Sequence, residues 1–280
     1  MAETIRLGLI GDNIGASRAP RLHVLAGRQN GIDVTYDRLV PRDLGEDFDP
    51  LFDRVARAGY RGMNVTYPYK ERAARRVRID DPQLRAMGSV NTVLFEAEGP
   101  RGYNTDHTGF MTAYRQARGE APPGHVLLVG AGGVGRSIAF ALATLSAQQI
   151  RIADTDPARA NALADTLRRC FPGLALRIGS DAAELAEGAT GLINATPVGM
   201  IGHPGMPLPR AALNGASWAF DAVYTPVKTQ FLAAADTAGA RIISGYELFI
   251  GQGVDAWRLF TDLPVDEARL RADLAAEAVA

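Results

Sequence analysis

The run Val126-Leu127-Leu128-Val129-Gly130-Ala131-Gly132-Gly133-Val134-Gly135 limits the fold more than any other stretch, because strand, tight turn and helix start follow without interruption. Gly130, Gly132 and Gly135 satisfy the spacing G-x-G-x-x-G. In such a turn the first glycine permits the reversal and the second lets main chain approach a pyrophosphate. The third lets the helix pack on the strand, with its positive end facing the anion. A second strand pattern, Ile150–Ala153, ends in Asp154, 24 positions after Gly130. A carboxylate there can accept hydrogen bonds from the adenosine ribose hydroxyls of NAD and would repel the 2′-phosphate of NADP. The expected dinucleotide contacts are therefore Gly130, Gly132, Gly133, Val134, Gly135 and Asp154. Two plainer readings stand beside this one. The glycine turn can serve packing alone, and Asp154 can cap the helix that Pro157 opens, although Asp156, directly before the proline, suits that cap better.

Around this unit, apolar runs of strand length alternate with helix-length segments from end to end, which predicts an α/β protein with parallel strands. Strand patterns at Ile5–Ile10, Val34–Val40 and Gly62–Thr66 and helix patterns at 20–31 and 51–58 place everything to about Asp106 in one α/β unit. A helix over 108–118 leads to Gly119-Glu120-Ala121-Pro122-Pro123-Gly124, a stretch that stops any helix and reads as a hinge or boundary. Strands then recur at 125–129, 150–153, 174–178, 191–194, 218–222 and 241–244, and Gly245 to Ala280 is helical.

Composition narrows the partners. Thirty Lys+Arg against 31 Asp+Glu in 280 residues leave a formal charge of -1, without the basic surplus that general nucleic-acid binding needs. The single cysteine, Cys170, and four scattered histidines give no metal-ligand spacing, so no metal is expected. No stretch approaches the ~20 apolar residues of a membrane span, and the acidic start lacks a secretory pattern. These features predict a cytoplasmic protein acting on a small molecule.

Polar residues gather where packing does not require them. Asn64-Val65-Thr66-Tyr67-Pro68-Tyr69-Lys70 follows a strand, so Thr66 and Lys70 fall at the sheet edge where open α/β folds bind ligands. Gly88-Ser89-Val90-Asn91-Thr92 and Gly102-Tyr103-Asn104-Thr105-Asp106 each carry Asn-Thr after small residues. Asp106 can be read as a helix N-cap with Gly109 at the third helical position, or as a functional carboxylate. A lysine and an aspartate are also what a carbonyl reduction needs, since an ammonium can stabilise and protonate the oxygen on which charge develops.

With these residues the chain resembles the shikimate/quinate dehydrogenase family, over nearly its whole length and in the family's motif order. Gly11 followed by Ser17-Arg18-Ala19-Pro20 and His23 is similar to the substrate loop, usually S-x-S-P or S-x-T-P. Asn64–Lys70 matches N-V-T-x-P-x-K, Gly88–Thr92 resembles G-A-V-N-T, and Asn104-Thr105-Asp106 with Gly109 resembles N-T-D-x-x-G. Asn194-Ala195-Thr196-Pro197 with Gly199-Met200, then Asp221, Tyr224, Pro226 and Thr229 in D-x-x-Y-x-P-x-x-T, continue the order to Gly245, Leu248 and Gly251-Gln252-Gly253.

The resemblance implies a substrate domain over 1–107, a Rossmann dinucleotide domain over 108–244, and C-terminal helices over 245–280 that return to the substrate domain. It implies reversible oxidation of a ring hydroxyl of shikimate or quinate by NAD, with NADP possible, in a monomer or homodimer. Lys70 would be the acid/base group and Asp106 its partner. Ser17, Thr66, Asn91, Tyr224 and Gln252 would bind substrate, and Thr196, Val223 and Gly245 would join the cofactor residues.

Two departures carry consequences. Ala19 replaces a hydroxyl that would grip the substrate carboxylate, a loss of about 1.5–3 kcal/mol for one charge-assisted hydrogen bond. Asp154-Thr155-Asp156 replaces the Asn-Arg-Thr typical of NADP-using members, leaving Arg151 and Arg159 as nearby cations. Rival readings are a methylene-folate dehydrogenase, whose motif order fits less well, a relative acting on another cyclic hydroxy compound, and a dinucleotide-binding regulator without turnover. The intact Lys70 and Asp106 pair favours an enzyme.

Overall fold

A computed structural model describes residues 4–276. The chain divides into two compact units, with one break between Thr105 and Asp106 and the other between Gly251 and Gln252. The sequence reading drew these divisions after residues 107 and 244. The second break lies inside a continuous helix, which carries Gly251 and Gly253 without ending there.

The first unit contains β1 (Thr4–Ile10), α1 (Ala19–Gln29), β2 (Asp33–Leu39), α2 (Pro41–Leu44), α3 (Phe48–Arg57) and β3 (Gly62–Val65). It continues through α4 (Lys70–Ala74), α5 (Pro82–Met87), β4 (Thr92–Glu96) and β5 (Gly99–Tyr103). Its sheet has the order β2-β1-β3-β4-β5. The first three strands are parallel, while β4 and β5 form an antiparallel hairpin on β3. That hairpin escapes a reading by strand propensity, because Gly99-Pro100-Arg101-Gly102-Tyr103 contains two glycines and a proline. Packing explains one of those glycines: a Cβ on Gly102 would stand 2.4 Å from Val77 Cγ2. Because β4 runs against β3, its amino end lies at the carboxyl edge of β1 and β3.

Apolar residues cover both faces of this sheet. Phe48, Leu51, Phe52 and Val55, spaced along one face of α3, pack with Ile10, Met63, Val65 and Val93. On the other face Ala26 of α1 packs with Leu7, Val34 and Leu94, together with Ala256, Trp257 and Phe260 from α11 (Gly245–Thr261). The helix α12 (Glu267–Ala276) follows, and the Arg18 guanidinium donates to its Leu274 carbonyl at 2.5 Å.

The second unit takes α6 (Thr105–Arg118) from its second residue on and then alternates β6 (His125–Val129), α7 (Gly133–Thr144), β7 (Gln149–Ala153), α8 (Pro157–Cys170) and β8 (Ala175–Gly179). The second half adds α9 (Ala182–Ala186), β9 (Gly191–Asn194), β10 (Trp218–Asp221), α10 (Gln230–Thr237) and β11 (Arg241–Ser244). Its six strands are all parallel, in the order β11-β10-β9-β6-β7-β8. This is the doubly wound Rossmann order, in which the chain reverses direction of build between the first and fourth strands, here β6 and β9. The stretch 119–124 joins α6 to β6 inside this unit. It is held there by Tyr114 Oη donating to Ala121 O at 2.9 Å and Trp218 Nε1 donating to Pro123 O at 3.2 Å.

His23 shows what core position costs an ionisable group. Its ring stacks on Tyr36 at 5.2 Å and lies against Trp257 and Phe260, and Nδ1 has no hydrogen-bond partner. Burial disfavours the imidazolium and pushes the pKa down to about 3, with an Asn64 hydrogen bond pulling weakly the other way. An unfolded histidine near pH 6.5 binds a proton that the folded one refuses, so this group favours the fold above that pH. Its contribution falls as pH drops from about 6.5 toward 3, by up to about 1.4 kcal/mol per unit. We expect His23→Gln to flatten the stability profile between pH 6.5 and 4.5 relative to wild type, as read by urea unfolding at fixed pH values. Parallel profiles would show that His23 titrates normally in the folded protein.

Candidate active site

The carboxyl edge of the first sheet is organised by main-chain ties between its loops. Thr66 N donates to Ile10 O at 2.9 Å, and Asp12 N donates to Tyr67 O at 2.9 Å. Gly11 makes this approach possible, since a Cβ there would lie 2.2 Å from Thr66 Cγ2. Lys70 is the first residue of α4, and its carbonyl accepts from Val90 N at 3.0 Å, which ties the β3 exit to the chain entering β4. Among the described residues nothing hydrogen-bonds the half-buried Thr66 hydroxyl. Ser17 sits at the entry to α1, where its Oγ accepts from Ala19 N at 3.3 Å and its carbonyl accepts from Arg38 Nη2 at 2.8 Å. Ala19 is the first residue of α1, a helix with no acidic side chain in its first turn.

Asn91 has a task the sequence did not reveal. Its Oδ1 accepts from Thr105 N at 2.7 Å, and its Nδ2 donates to Thr105 Oγ1 at 2.9 Å. Thr92 Oγ1 donates to the same Oδ1 at 3.1 Å and accepts from Asn64 Nδ2 at 3.0 Å, while Tyr36 Oη donates to Asn64 Oδ1 at 2.8 Å. This buried chain of polar groups runs from β2 across β3 and β4 to the first residue of α6. Asp106 follows directly and is buried in the first turn of that helix, inside it rather than capping it. Gln252 stands half-buried in α11 between two glycines that packing requires. A Cβ on Gly253 would meet Leu22 Cδ1 at 2.5 Å, and one on Gly251 would lie 3.1 Å from Gly109 Cα.

In the second unit each glycine of the loop has a separate steric duty. Gly130 takes φ +102, and a Cβ on it would press on Ala195 O at 2.8 Å. A Cβ on Gly135 would lie 2.0 Å from Gly130 O. A Cβ on Gly132 would meet nothing within 4 Å, so this position opens on free space at the start of α7, which has no capping side chain and no acid in its first turn. Gly133 and Val134 form the first helical turn beside it. A pyrophosphate fits such a cradle: bare main chain, a helix amino end and room where a side chain would stand.

Asp154 closes the loop on its second side. Its Oδ2 accepts from Ala131 N at 2.7 Å and its Oδ1 from Asp156 N at 2.8 Å, while the helix cap belongs to Asp156, which accepts from Ala158 N at 2.9 Å. The two arginines within reach in sequence are both engaged. Arg151 is buried and donates to Gln149 Oε1 and to the carbonyls of Leu185 and Glu187 at the end of α9, and Arg159 pairs with Asp156 at 3.5 Å. Beside the Asp154 carboxylate neither arginine is therefore unengaged.

Farther along the edge, Thr196 N and Oγ1 both donate to Asn194 Oδ1, at 3.1 and 2.6 Å. Val223 is buried, and Tyr224 stacks on Phe249 at 4.9 Å. Gly245 is pressed on main chain, since a Cβ there would lie 2.6 Å from both Asp221 O and Ala222 O. Asp221 itself, fully buried at the end of β10, accepts from Asn194 Nδ2 at 2.9 Å, Val223 N at 3.0 Å and Thr229 Oγ1 at 2.5 Å. Asn64, Asn194, Asp221 and Thr229 stand in the motifs of the sequence, and their holding duties emerge from the structure. The signal was there: Asn194 and Asp221 are polar final residues of otherwise apolar strands.

A Rossmann sheet with an open glycine cradle, on a chain whose other α/β unit sets a lysine and an unsatisfied hydroxyl at its strand exits, defines a dinucleotide-dependent dehydrogenase. Residues 9–93 match the family model described as the shikimate dehydrogenase substrate binding domain. A quinate/shikimate dehydrogenase (NAD(+)) of Corynebacterium efficiens is 39% identical over 277 residues, covering 96% of this chain and 97% of its own. A shikimate dehydrogenase (NADP(+)) of Streptomyces avermitilis is 38% identical over 275 residues, covering 96% and 94%. The structure of quinate dehydrogenase from Corynebacterium glutamicum in complex with NAD superposes with a TM-score of 0.89 at 35% identity, covering 98% of this chain and 99% of that one. The chain belongs to the quinate/shikimate dehydrogenase family.

The glycine geometry separates folding from binding. Gly135→Ala should destabilise the protein by roughly 2–3 kcal/mol or prevent folding, because main chain must move to admit the methyl group. Gly132→Ala should change stability by less than about 1 kcal/mol yet weaken NAD binding roughly tenfold or more, since its methyl enters the cradle. Thermal melts and NAD titrations of the two variants check this, and a Gly132→Ala protein that binds NAD normally would remove Gly132 from the cradle.

Proposed function

We propose that this chain is an NAD-dependent dehydrogenase that interconverts shikimate with 3-dehydroshikimate and quinate with 3-dehydroquinate, NADP being the poorer cofactor. The observation that carries this is the N-V-T-x-P-x-K exit from β3, in which Lys70 opens α4 and the Thr66 hydroxyl has no hydrogen-bond partner among the described residues, in a chain 39% identical to a quinate/shikimate dehydrogenase (NAD(+)). Preference for NAD rests on Asp154 lying against the glycine loop with Arg151 and Arg159 both engaged.

In this reading the first unit binds substrate and the second binds the dinucleotide. NAD, when bound, accepts the hydride from the carbinol carbon. Lys70 Nζ takes the hydroxyl proton as the C–H bond breaks, and in reverse the ammonium returns it to the carbonyl oxygen. Asp106 is the catalytic carboxylate of this proposal. Ser17 keeps its hydroxyl proton for a substrate carboxylate, because its oxygen already accepts from Ala19 N. Thr66, Gln252 and Tyr224 bind ring hydroxyls or the carboxylate, and Asn91 has one amide hydrogen beyond the Thr105 bond to offer. Thr196, Val223 and Gly245 border the nicotinamide. No helix among the described residues is long and apolar enough to cross a membrane, and we place the enzyme in the cytoplasm as a monomer or homodimer.

Purified protein with NAD should form NADH on shikimate or quinate, and Lys70→Ala should lower kcat by roughly 10²–10⁴-fold, the range for a lost acid/base group. A variant that keeps kcat and only raises KM would make Lys70 a binding residue. Independently, kcat/KM should favour NAD over NADP, and Asp154→Ser should narrow the gap mainly by weakening NAD. A wild-type preference for NADP would overturn the placement of Asp154 against the ribose.

A further inference from the structure

Asp221 is a buried carboxylate that holds the Val223 turn directly and reaches the Thr196 loop through Asn194. It receives Val223 N, the amide of Asn194 whose Oδ1 holds Thr196, and the hydroxyl of Thr229, which also caps α10 by accepting from Leu232 N at 3.2 Å. We propose that Asp221 is a positioning residue for NAD, whose carboxylate holds the Val223–Tyr224 turn and, through Asn194, Thr196 in their binding positions, and releases them when it takes up a proton. The proposal rests on the reading that Val223 and Thr196 face the dinucleotide.

The hydrogen count explains why one proton matters. All three partners point hydrogens at the carboxylate, so the ionised form satisfies each of them. A proton on Oδ2 would meet the Thr229 hydroxyl hydrogen already there. Thr229 would have to turn, and its own hydrogen would then lack an acceptor in a fully buried site. Burial pushes the Asp221 carboxyl up to about 6 in spite of the donors, which brings this change close to neutral pH. The groups facing it are Asn194 from β9, Val223 from the following turn and Thr229 at the head of α10, none of them titratable, and Ser244 pairs with it from β11. The nearest charges in sequence point elsewhere: Lys228 pairs with Asp236 at 3.0 Å, and His203 is exposed on the loop beyond Thr196.

The test is direct NAD titration of the full-length protein from pH 8 to pH 5, with shikimate and quinate turnover measured alongside. Wild type should lose NAD affinity, roughly three- to tenfold, around an inflection near pH 6. Asp221→Asn should show at pH 8 the weakened affinity that wild type reaches only at pH 5, with no inflection. Thr229→Val removes a donor to the carboxylate and should move the inflection up by about one pH unit, while Thr229→Ser restores it. His203→Gln should leave the wild-type profile in place. An inflection that persists in Asp221→Asn, or one that Thr229→Val leaves unmoved, overturns the proposal. If Asp221→Asn does not fold, the Thr229 pair decides alone. A merely structural Asp221 would lower the melting temperature of its variant while leaving NAD affinity independent of pH. Absence of turnover with NAD binding intact would fault the assigned reaction and spare Asp221, whereas absence of NAD binding would remove both.

Discussion

The second unit depends on a methyl group that is not there. Helix α7 can start against β6 only because Gly135 leaves its side open to the Gly130 carbonyl, which a Cβ would approach to 2.0 Å. That contact fixes the helix axis, the axis aims the amino end of α7, and the amino end sets where an anion can rest. Gly130 and Gly135 are thus demanded by the protein's own atoms, while no protein atom stands where a side chain on Gly132 would begin. The same string of glycines combines two positions that packing requires with one that packing leaves open.

Because these duties are steric and local, they were legible before any fold was known. So was the α/β class, since β-branched runs and amphipathic segments alternate along the chain. The β4–β5 hairpin was not legible, for β5 has almost no strand-forming residues and exists because β4 offers it a ladder and Gly102 leaves room for Val77. The reach of α11 past Gly245 could be seen, but not that the break between units falls within it, as nothing in Gly251-Gln252-Gly253 interrupts a helix. Asn91 could be recognised as unusual from its neighbours. Its clasp on Thr105, 14 residues away, needs the antiparallel turn-back that the sequence hides.

Both units spend buried polar groups in the same way. In the first, Tyr36, Asn64, Thr92 and Asn91 carry a hydrogen-bonded line from β2 to the start of α6. In the second, Asn194, Asp221 and Thr229 join two strand ends to the head of a helix. Removing one member of such a line strands its neighbours without water, so the cost exceeds that of the single bond lost. Loops at the sheet edges are in this way held in part by side chains, such as Asn64 and Asn194, whose bonds all go to the protein. Motif residues of this kind report on rigidity, and reading every one as a contact would overstate the size of the binding surface.

Arg151 has a bearing on how this protein could change over generations. Its guanidinium is committed to the carbonyls at the end of α9, inside the sheet layer, and cannot be lent to a phosphate without leaving those groups uncapped. Thr155, by contrast, is exposed at the tip of the same turn, beside Asp154. A lineage drifting toward the phosphorylated dinucleotide therefore has a short and ordered path. On the proposed placement of Asp154 the acid goes first, a cation then arrives at the exposed tip, and the buried Arg151 takes no part. Adaptability at this corner is decided by which positive charges the scaffold has left spare.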